Sequence, residues 1–184
     1  MNILIGKITQ LRAIEPNDID LIYQWENNAE IWQISNTLTP FSRSIIKQFI
    51  NNAHLDIFQA KQLRLMIDKI DKKPTETVGT IDLFDFDPFH KRAGIGILIA
   101  EEKDRQKGYA SDALDVLINY CFSVLQLHQL YCNISCDNIS SIKLFENKGF
   151  KLIGVKKDWL LTPEGWQNEL MYQRINSGTS FKKI

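Results

Sequence analysis

The sequence predicts an α/β fold of the α+β type, with a mixed sheet covered by helices on both faces. Apolar runs of strand length outnumber helical stripes and mostly follow one another as hairpins. One strand, at 92–100, instead leads through a basic loop into a long helix at 111–124. No linker or repeat interrupts the chain, so its 184 residues predict a single domain with enough length for a core.

The N-terminal half of the chain predicts strands and short helices. Asn17 is predicted to cap the first helix, because an Asn side chain accepts hydrogen bonds from the free amides of a first turn. Ser42 is predicted to cap the second helix for the same reason. A polar turn joins the last two strands, which should therefore pair as a hairpin. The predicted elements are a strand at 8–14, helices at 19–31 and 43–53, a helical turn within 55–62, and strands at 63–68 and 77–86.

The C-terminal half predicts the remaining strands and two further helices. Asn138 is predicted to cap the shorter helix, and Gly149 to end it in the left-handed conformation. Residues 177–184 are expected to form a flexible tail. The predicted elements are strands at 92–100 and 130–136, helices at 111–124 and 139–148, and strands at 150–159 and 165–174.

The composition argues against nucleic acid and membranes as partners. The chain has 22 basic and 22 acidic residues, so it lacks the positive field that gathers polyanions. No apolar stretch approaches the roughly 20 residues of a membrane span, and the N-terminal apolar run is too short for a signal peptide. Cys121, Cys132 and Cys136 lack metal-ligand spacing and are expected to be reduced residues of a cytoplasmic protein. The three His residues are scattered, so no metal site is expected.

The loop before the long helix has the properties of a phosphate site. The first N–H groups of a helix lack partners within it, and the helix dipole places partial positive charge there. Gly108 allows the backbone to approach a ligand closely, while Arg105 and Lys107 add full positive charges. The pattern therefore predicts a phosphate or pyrophosphate ligand. An ordinary helix start with a solvated basic loop explains these residues alone equally well.

Two motifs in this half resemble the signatures of the GNAT N-acetyltransferase superfamily. The loop at 105–110 reads Arg-x-x-Gly-x-Ala, which resembles the family's acetyl-CoA pyrophosphate loop. The segment 138–150 reads Asn-x-x-Ser-x-x-Leu-Phe-x-x-x-Gly-Phe and resembles the family's second signature. The resemblance covers about residues 8–174. It implies one domain at 1–176, whose mostly antiparallel sheet contains splayed parallel strands 4 and 5.

The resemblance implies that acetyl-CoA lies between the splayed strands as co-substrate, without a metal. A backbone N–H near 98–100 would act as the oxyanion donor. Phe145 stands where the family has a Tyr that is taken to protonate the leaving thiolate, so the acid step is left open. The implied cofactor-binding residues are Leu98, Ile99, Ala100, Arg105, Gln106, Lys107, Gly108, Tyr109, Ala110, Asn138, Ser141 and Phe145.

The wider sequence is similar to the bacterial spermidine/spermine N-acetyltransferases, and it shares much with the related ribosomal-protein N-acetyltransferases. The similarity lies in the N-terminal pattern at 11–29, in 78–85, in 90–93, in the loop at 105–110 and in 120–131. It implies a small-molecule amine as partner, with a polyamine favoured over a protein N-terminus. Gly94 replaces one of the branch's acidic acceptor residues. The implied substrate residues are Trp32, Phe41, Asp82 and Asp85.

Acetylation of an amine requires the neutral base. An alkyl amine has a pKa near ~10.4, so presenting its free base at pH 7 costs roughly 4–5 kcal/mol. Glu169 is the predicted catalytic base, with Asp82 and Asp85 as other candidates that act through water. Tyr109 is the predicted proton donor. A solvated carboxylate and a packing Tyr are the alternative interpretations.

Two other function classes are left open by the sequence. Phe145 suggests a CoA-binding protein without efficient catalysis, because its ring cannot donate a proton. A protein-interaction domain without a cofactor is the second alternative. The identity of the acceptor and the formation of a homo-oligomer are also left open.

Overall fold

The computed structural model describes residues 3–35 and 37–178, which form seven strands and six α-helices. Short 3-10 turns precede the first helix, follow the third and lead into the fifth. The elements in chain order are β1 (Thr9–Ala13), α1 (Ile19–Glu26), α2 (Ala29–Ser35), α3 (Arg43–Asn51), α4 (Ile57–Ala60), β2 (Leu63–Lys69), β3 (Thr77–Asp87), β4 (Arg92–Ile99), α5 (Tyr109–Ser123), β5 (Gln129–Ser135), α6 (Ile139–Asn147), β6 (Lys151–Thr162) and β7 (Gly165–Ile175).

The strands form one sheet in the order β1-β2-β3-β4-β5-β7-β6. All neighbours are antiparallel except β4 and β5, which α5 connects as a parallel pair. These two strands pair only where Arg92–Gly94 faces Gln129–Tyr131. Beyond Gly94 the two strands separate, so the sheet has an opening at its centre. The predicted mixed sheet with splayed fourth and fifth strands is confirmed.

Helices cover the two faces of the sheet with two separate cores. Successive residues of a strand point to opposite faces, so Ile81 and Leu83 of β3 join the core beneath α5 and α6. Met66 of β2 belongs to the other core, with Ile22 of α1 and Ile46 of α3. Asp82 and Phe84 of β3 point to this second face by the same alternation. The two faces of the central strands therefore have different surroundings.

Most predicted elements are confirmed, but the first helix differs from the prediction. The expected helix at 19–31 is two helices, because Asn27 lies at the C-cap of α1 and leaves the helical path. The Asn27 side chain donates to the Tyr23 and Phe41 carbonyls and accepts from the Phe41 amide at 2.9 Å. Asn17 does not cap this helix, since it lies within a 3-10 turn and Asp18 precedes α1.

The predicted caps in the rest of the chain agree with the structure. The Ser42 side chain accepts a hydrogen bond from the Ile45 amide at the start of α3. The Asn138 side chain does the same for the Ser141 amide in α6, and Gly149 follows with a φ of 78°. Of the expected tail, 177 and 178 form a turn, and 179–184 lie outside the described residues.

Candidate functional site

The loop between β4 and α5 begins beside the central opening. Gln106 and Gly108 both have positive φ, at 59° and 88°, so the chain turns sharply before Tyr109 starts the helix. Gly108 is the N-cap of α5 and no side chain caps the helix. The first amides of α5 therefore lack the acceptor that a capping side chain supplies, and the dipole adds positive charge there.

Two basic side chains of this loop have different positions. The Arg105 guanidinium donates to the carbonyls of Ile99 and Ala100 at 3.3 and 3.2 Å, which ties the loop to the end of β4. The Lys107 side chain is 54% exposed and lies 3.8 Å from Asp104. Lys107 thus offers an accessible cation, whereas Arg105 brings positive charge to the edge of the opening while it braces the loop.

A buried ion pair that the sequence analysis missed fixes the start of the loop. The Lys69 ammonium at the end of β2 lies 2.9 Å from Asp104 and 2.8 Å from Glu76. Both Lys69 and Asp104 are buried, with 6% and 3% of their side chains exposed. Burial lowers the pKa of Lys69, but hydrogen bonds to Glu76 and Asp104 and their charges raise it above its ordinary value. Lys69 also lies over the Tyr109 ring, 5.3 Å from its centroid.

Asp112, in the first turn of α5, holds the N-terminal segment against this loop. Its carboxylate accepts from the amides of Lys7, Ile8 and Thr9 at 2.9–3.0 Å and from the Thr9 hydroxyl at 2.8 Å. Burial raises the pKa of Asp112, but these hydrogen bonds together lower it by more, so the pKa lies below its ordinary value. A Cβ atom on Gly108 would lie 3.6 Å from the Ile8 side chain. The N-terminal segment therefore packs directly on the loop.

The amides near the end of β4 face in alternate directions. The Ala100 amide donates to the Val78 carbonyl of β3 at 3.0 Å. Alternate residues of an antiparallel strand bond to the same neighbour, so Leu98 points its amide toward β3 as well. The Ile99 amide points the other way, toward the central opening. Among the predicted residues 98–100, Ile99 is therefore the one whose amide could serve as an oxyanion donor.

The predicted residues of α6 have structural roles in the protein. Asn138 uses its side-chain oxygen to cap the helix, at 3.1 Å from the Ser141 amide. Phe145 is only 3% exposed, and its ring packs edge-on against Phe150 with centroids 5.1 Å apart. The structure gives these residues packing and capping partners, and their contact with a cofactor stays a prediction.

A cavity of about 340 Å³ opens on the second face of the sheet, between α1, α3, β2 and β3. Its charged residues are Glu26, Arg64 and Asp82. The Arg64 guanidinium donates to both oxygens of Asp82, at 2.8 and 3.0 Å, and also to Glu26. Most of the remaining wall is apolar and comes from Ile22, Phe41, Ile45, Phe49, Leu63 and Phe84.

This cavity lies one strand away from the central opening. Arg64, Asp82 and Gly96 occupy neighbouring positions on β2, β3 and β4. Gly96 lies two residues beyond Gly94, the last residue of β4 that pairs with β5, so it belongs to the separated part of the strand. A Cβ atom on Gly96 would have its nearest neighbour 3.9 Å away, at Asp82. The absence of a side chain at Gly96 leaves space between the cavity and the opening.

The other predicted acceptor and catalytic residues are spread around this region. Asp82 and Phe41 line the cavity, whereas the Trp32 indole donates to the Glu26 carbonyl at 2.6 Å. Asp85 accepts from the Tyr131 hydroxyl at 3.0 Å, and burial together with this bond raises the pKa of Tyr131 to about 12. Of the four predicted substrate residues, Asp82 and Phe41 line the cavity, whereas Trp32 and Asp85 do not.

Glu169 lies on the far flank of the opening. It pairs with Ser135, at the free end of β5, and accepts from the Lys156 ammonium at 2.6 Å. Only 9% of the surface of Glu169 is exposed. Glu169 and Asp82 thus approach the opening from the β7 side and the β3 side respectively, each with a cationic partner. Tyr109 lies at the start of α5, beside the loop.

Several of these site residues carry no local signal in the sequence. Arg64 is a charged residue within the apolar run that begins β2, which is the only hint that it faces a polar feature. Glu26 and Asp82 come from elements 38 and 18 positions away from it. Their meeting depends on the register of β2 and β3 and on the packing of α1.

Some features are absent from the part of the chain that the structure describes. No group of three or more His, Cys, Asp or Glu side chains there is arranged to hold a metal ion. None of the helices in 3–35 and 37–178 combines the length and apolar character needed to cross a bilayer. Cys121 and Cys132 are buried free thiols, and Cys136 is an exposed one.

Comparison with known proteins identifies the family. The model of the acetyltransferase (GNAT) domain matches residues 9–151. An uncharacterised N-acetyltransferase, p20 of Bacillus licheniformis, is 30% identical over 86% of this chain and 88% of that relative. The spermidine N(1)-acetyltransferase of Vibrio cholerae is 26% identical over 76% of this chain and 77% of that relative.

Solved structures share the fold at lower sequence identity. The Vibrio cholerae spermidine N-acetyltransferase in complex with CoA and spermine has a TM-score of 0.81 and 22% identity, over 92% of this chain and 96% of that one. A structure described as a putative ribosomal-protein-serine acetyltransferase from Vibrio cholerae gives 0.70 and 22%, over 94% and 97%. Together with the splayed strands and the domain match, these findings show that the chain belongs to the GNAT acetyltransferase family.

Proposed function

We propose that the protein transfers an acetyl group from acetyl-CoA to a primary amine. The observation that carries this proposal is the central opening, with the loop of Gly108 at one end and the cavity of Asp82 beside it. A diphosphate fits the uncapped start of α5, where backbone amides, the helix dipole and Lys107 supply positive charge. Acetyl-CoA, when bound, supplies the acetyl thioester.

The chain's own residues bind and orient the reactants. Residues 105–110 hold the diphosphate, and the buried Lys69–Asp104 pair keeps this loop in place. The Ile99 amide faces the opening and is the proposed donor to the thioester carbonyl oxygen. Asn138 and Ser141, at the start of α6, are the proposed contacts to the pantetheine or the phosphates, as the family resemblance implies, and Phe145 packs behind them. The acceptor amine enters from the cavity over Gly96.

Deprotonation of the amine is the step that a carboxylate must assist. Asp82 lies on the acceptor side of the opening and is one proposed base that acts through water, although both of its oxygens also accept from Arg64. Glu169, the base predicted from the sequence, lies on the other flank and is paired with Lys156. Kinetics of Asp82→Asn and Glu169→Gln distinguish the two, since only loss of the base lowers kcat at neutral pH and shifts the pH profile.

Protonation of the departing thiolate has fewer candidates. Phe145 lacks a hydroxyl and is buried against Phe150. Tyr109 lies at the start of α5 and is the proposed donor. A thiol leaves readily as its anion, because the usual pKa of a thiol, about 8.5, is close to neutral pH. The general acid therefore contributes less to this reaction than the base does.

Polyamines are the acceptor class that the sequence favours. The names of relatives in Vibrio cholerae and Escherichia coli support this proposal. The N-terminus of a ribosomal protein is the second candidate, supported by the fold of the ribosomal-protein-serine acetyltransferase structure. Both acceptors present a primary amine to the same opening.

The experiment combines binding with turnover. Acetyl-CoA should raise the unfolding temperature, because a ligand that binds only the folded chain stabilises it. Release of free CoA thiol is then measured with spermidine, spermine, simple monoamines and a ribosomal N-terminal peptide. Turnover of at least one amine supports the proposal. Stabilisation without turnover of any amine would leave a CoA-binding protein, and absence of both effects would refute the proposed function.

A further inference from the structure

The guanidinium of Arg64 already occupies the acidic end of the acceptor cavity. It donates to both oxygens of Asp82 at 2.8 and 3.0 Å and to Glu26, while it lies 5.5 Å from the centroid of the Phe49 ring. The three charged side chains are 21–26% exposed, so solvent screens them only in part. Arg64 is therefore held in place by three side chains.

Arg64 carries its positive charge at neutral pH. Burial lowers the pKa of Arg64, but the charges and hydrogen bonds of Asp82 and Glu26 raise it above its ordinary value. An Arg side chain does not lose its proton near neutral pH. The cavity thus contains two carboxylates and one fixed cation, which leaves a single uncompensated negative charge.

The rest of the cavity suits an apolar group. Phe41, Ile45 and Phe49 line it together with aliphatic side chains of β2 and β3. An acceptor with one ammonium group and an apolar body would match both the single negative charge and these walls. A polyamine brings several positive charges, and each further charge would have to approach Arg64 or displace it from Asp82 and Glu26.

We propose that Arg64 is a specificity-determining residue that acts as an internal competitor for cationic acceptors. It holds the two carboxylates that would otherwise bind a polyamine, and so favours a primary amine with one positive charge and an apolar body. This inference rests on the proposed acetyltransferase function, and it replaces the polyamine that the relatives' names favour with a monoamine as the preferred acceptor. If Arg64 has this role, a substitution at position 64 should alter the KM of a multiply charged acceptor more than the KM of a singly charged one.

The test measures CoA release with spermine and with a phenylalkyl monoamine in four proteins. Arg64→Met removes the cation at similar length, and Arg64→Lys keeps a charge but loses the bidentate contact. Arg43→Met is the matched control, because Arg43 pairs with Asp20 on the surface and is 58% exposed. In Arg64→Met the KM for spermine should fall about tenfold relative to the native chain, while the KM for the monoamine should fall only about threefold and the KM for acetyl-CoA should change less than about twofold. Arg64→Lys should lie between the two, and the control should match the native chain.

A second variant keeps the inference testable if Arg64→Met does not fold. Glu26→Gln retains the Arg64–Asp82 pair and removes the uncompensated negative charge, so it should raise the KM of both amines by about threefold or more. Equal spermine-to-monoamine KM ratios in native and Arg64→Met proteins would overturn the role of Arg64. An unchanged KM in Glu26→Gln would do the same. Failure of the native chain to acetylate any amine would instead refute the proposed function.

Discussion

Replacement of Asp112 by Asn should destabilise the protein and weaken acetyl-CoA binding at the same time. The carboxylate receives four hydrogen bonds from Lys7, Ile8 and Thr9. Three of these bonds go to Oδ2 and one to Oδ1, so an amide that keeps its oxygen at Oδ2 loses the bond from Lys7, turns its NH₂ group toward that N–H, and gives up the charge that strengthens the other three. Hydrogen bonds to a charged group contribute about 1.5–3 kcal/mol each, but water reaches the exposed amides of Lys7 and Ile8. We therefore expect a loss of about 2 kcal/mol.

This loss has a defined pH dependence. The pKa of Asp112 is lower in the folded chain than its ordinary value of 3.8. Its contribution to stability is therefore fully present above the unfolded pKa and fades as the pH falls through the folded pKa. The stability difference between native protein and Asp112→Asn should be constant near pH 7 and should shrink below about pH 4.

Urea unfolding at several pH values measures the effect, and calorimetry adds a fall of about 4–8 °C in Tm. Asp115→Asn is the matched control, because Asp115 lies on the same helix, is 58% exposed and has Lys148 as its ion-pair partner. The control should change stability by less than about 0.5 kcal/mol.

Because Ile8 packs near Gly108, the acetyl-CoA Kd of Asp112→Asn should rise several-fold. A stability within about 0.5 kcal/mol of the native value at pH 7, or a difference that persists unchanged at pH 3, would refute this reasoning.

Three further substitutions test the loop, the sheet and the acid step. Gly108→Asp should raise the acetyl-CoA Kd at least about tenfold, whereas Gly108→Asn, of similar size without the charge, should raise it much less, as calorimetric titration would show. Gly79→Ala should lower the free energy of unfolding by about 3 kcal/mol, because its Cβ would lie 1.9 Å from the Leu98 carbonyl oxygen, while Gly154→Ala, with open space around it, should not. Tyr109→Phe should lower kcat about 10²-fold at constant acetyl-CoA KM if the hydroxyl donates the proton, and a change below twofold would exclude that role.

The sequence predicted those parts of the fold that depend on local signals. The strand, loop and helix around Gly108 follow from apolar spacing and from one Gly, and the structure places Gly108 at a φ of 88° before α5. The caps at Ser42 and Asn138 are likewise set by one side chain and the next turn. These features need no information from distant parts of the chain.

The features that the sequence did not predict depend on distant partners. Asn27 ends α1 because its side chain bonds to Phe41, 14 residues further on. Lys69 and Asp104 are 35 residues apart, and either side chain alone is typical of a solvated turn. The same holds for Asp112, whose partners lie more than 100 residues upstream. Hydrophobic periodicity predicts which face of an element a residue occupies, but it does not identify the residue from a distant part of the chain that contacts it there.

The ring of Phe84 restricts how the acceptor region can change by mutation. Phe84 fills the space above Gly94, where a Cβ atom would lie 2.2 Å from the nearest ring carbon, and the ring also packs against Tyr131. The resemblance to the polyamine branch implies an acidic acceptor residue at the position of Gly94. A single substitution at Gly94 cannot introduce that carboxylate here, because Phe84 must also be replaced by a smaller residue. The two positions are therefore expected to vary together among relatives, either as a bulky aromatic with Gly or as a smaller side chain with an acid.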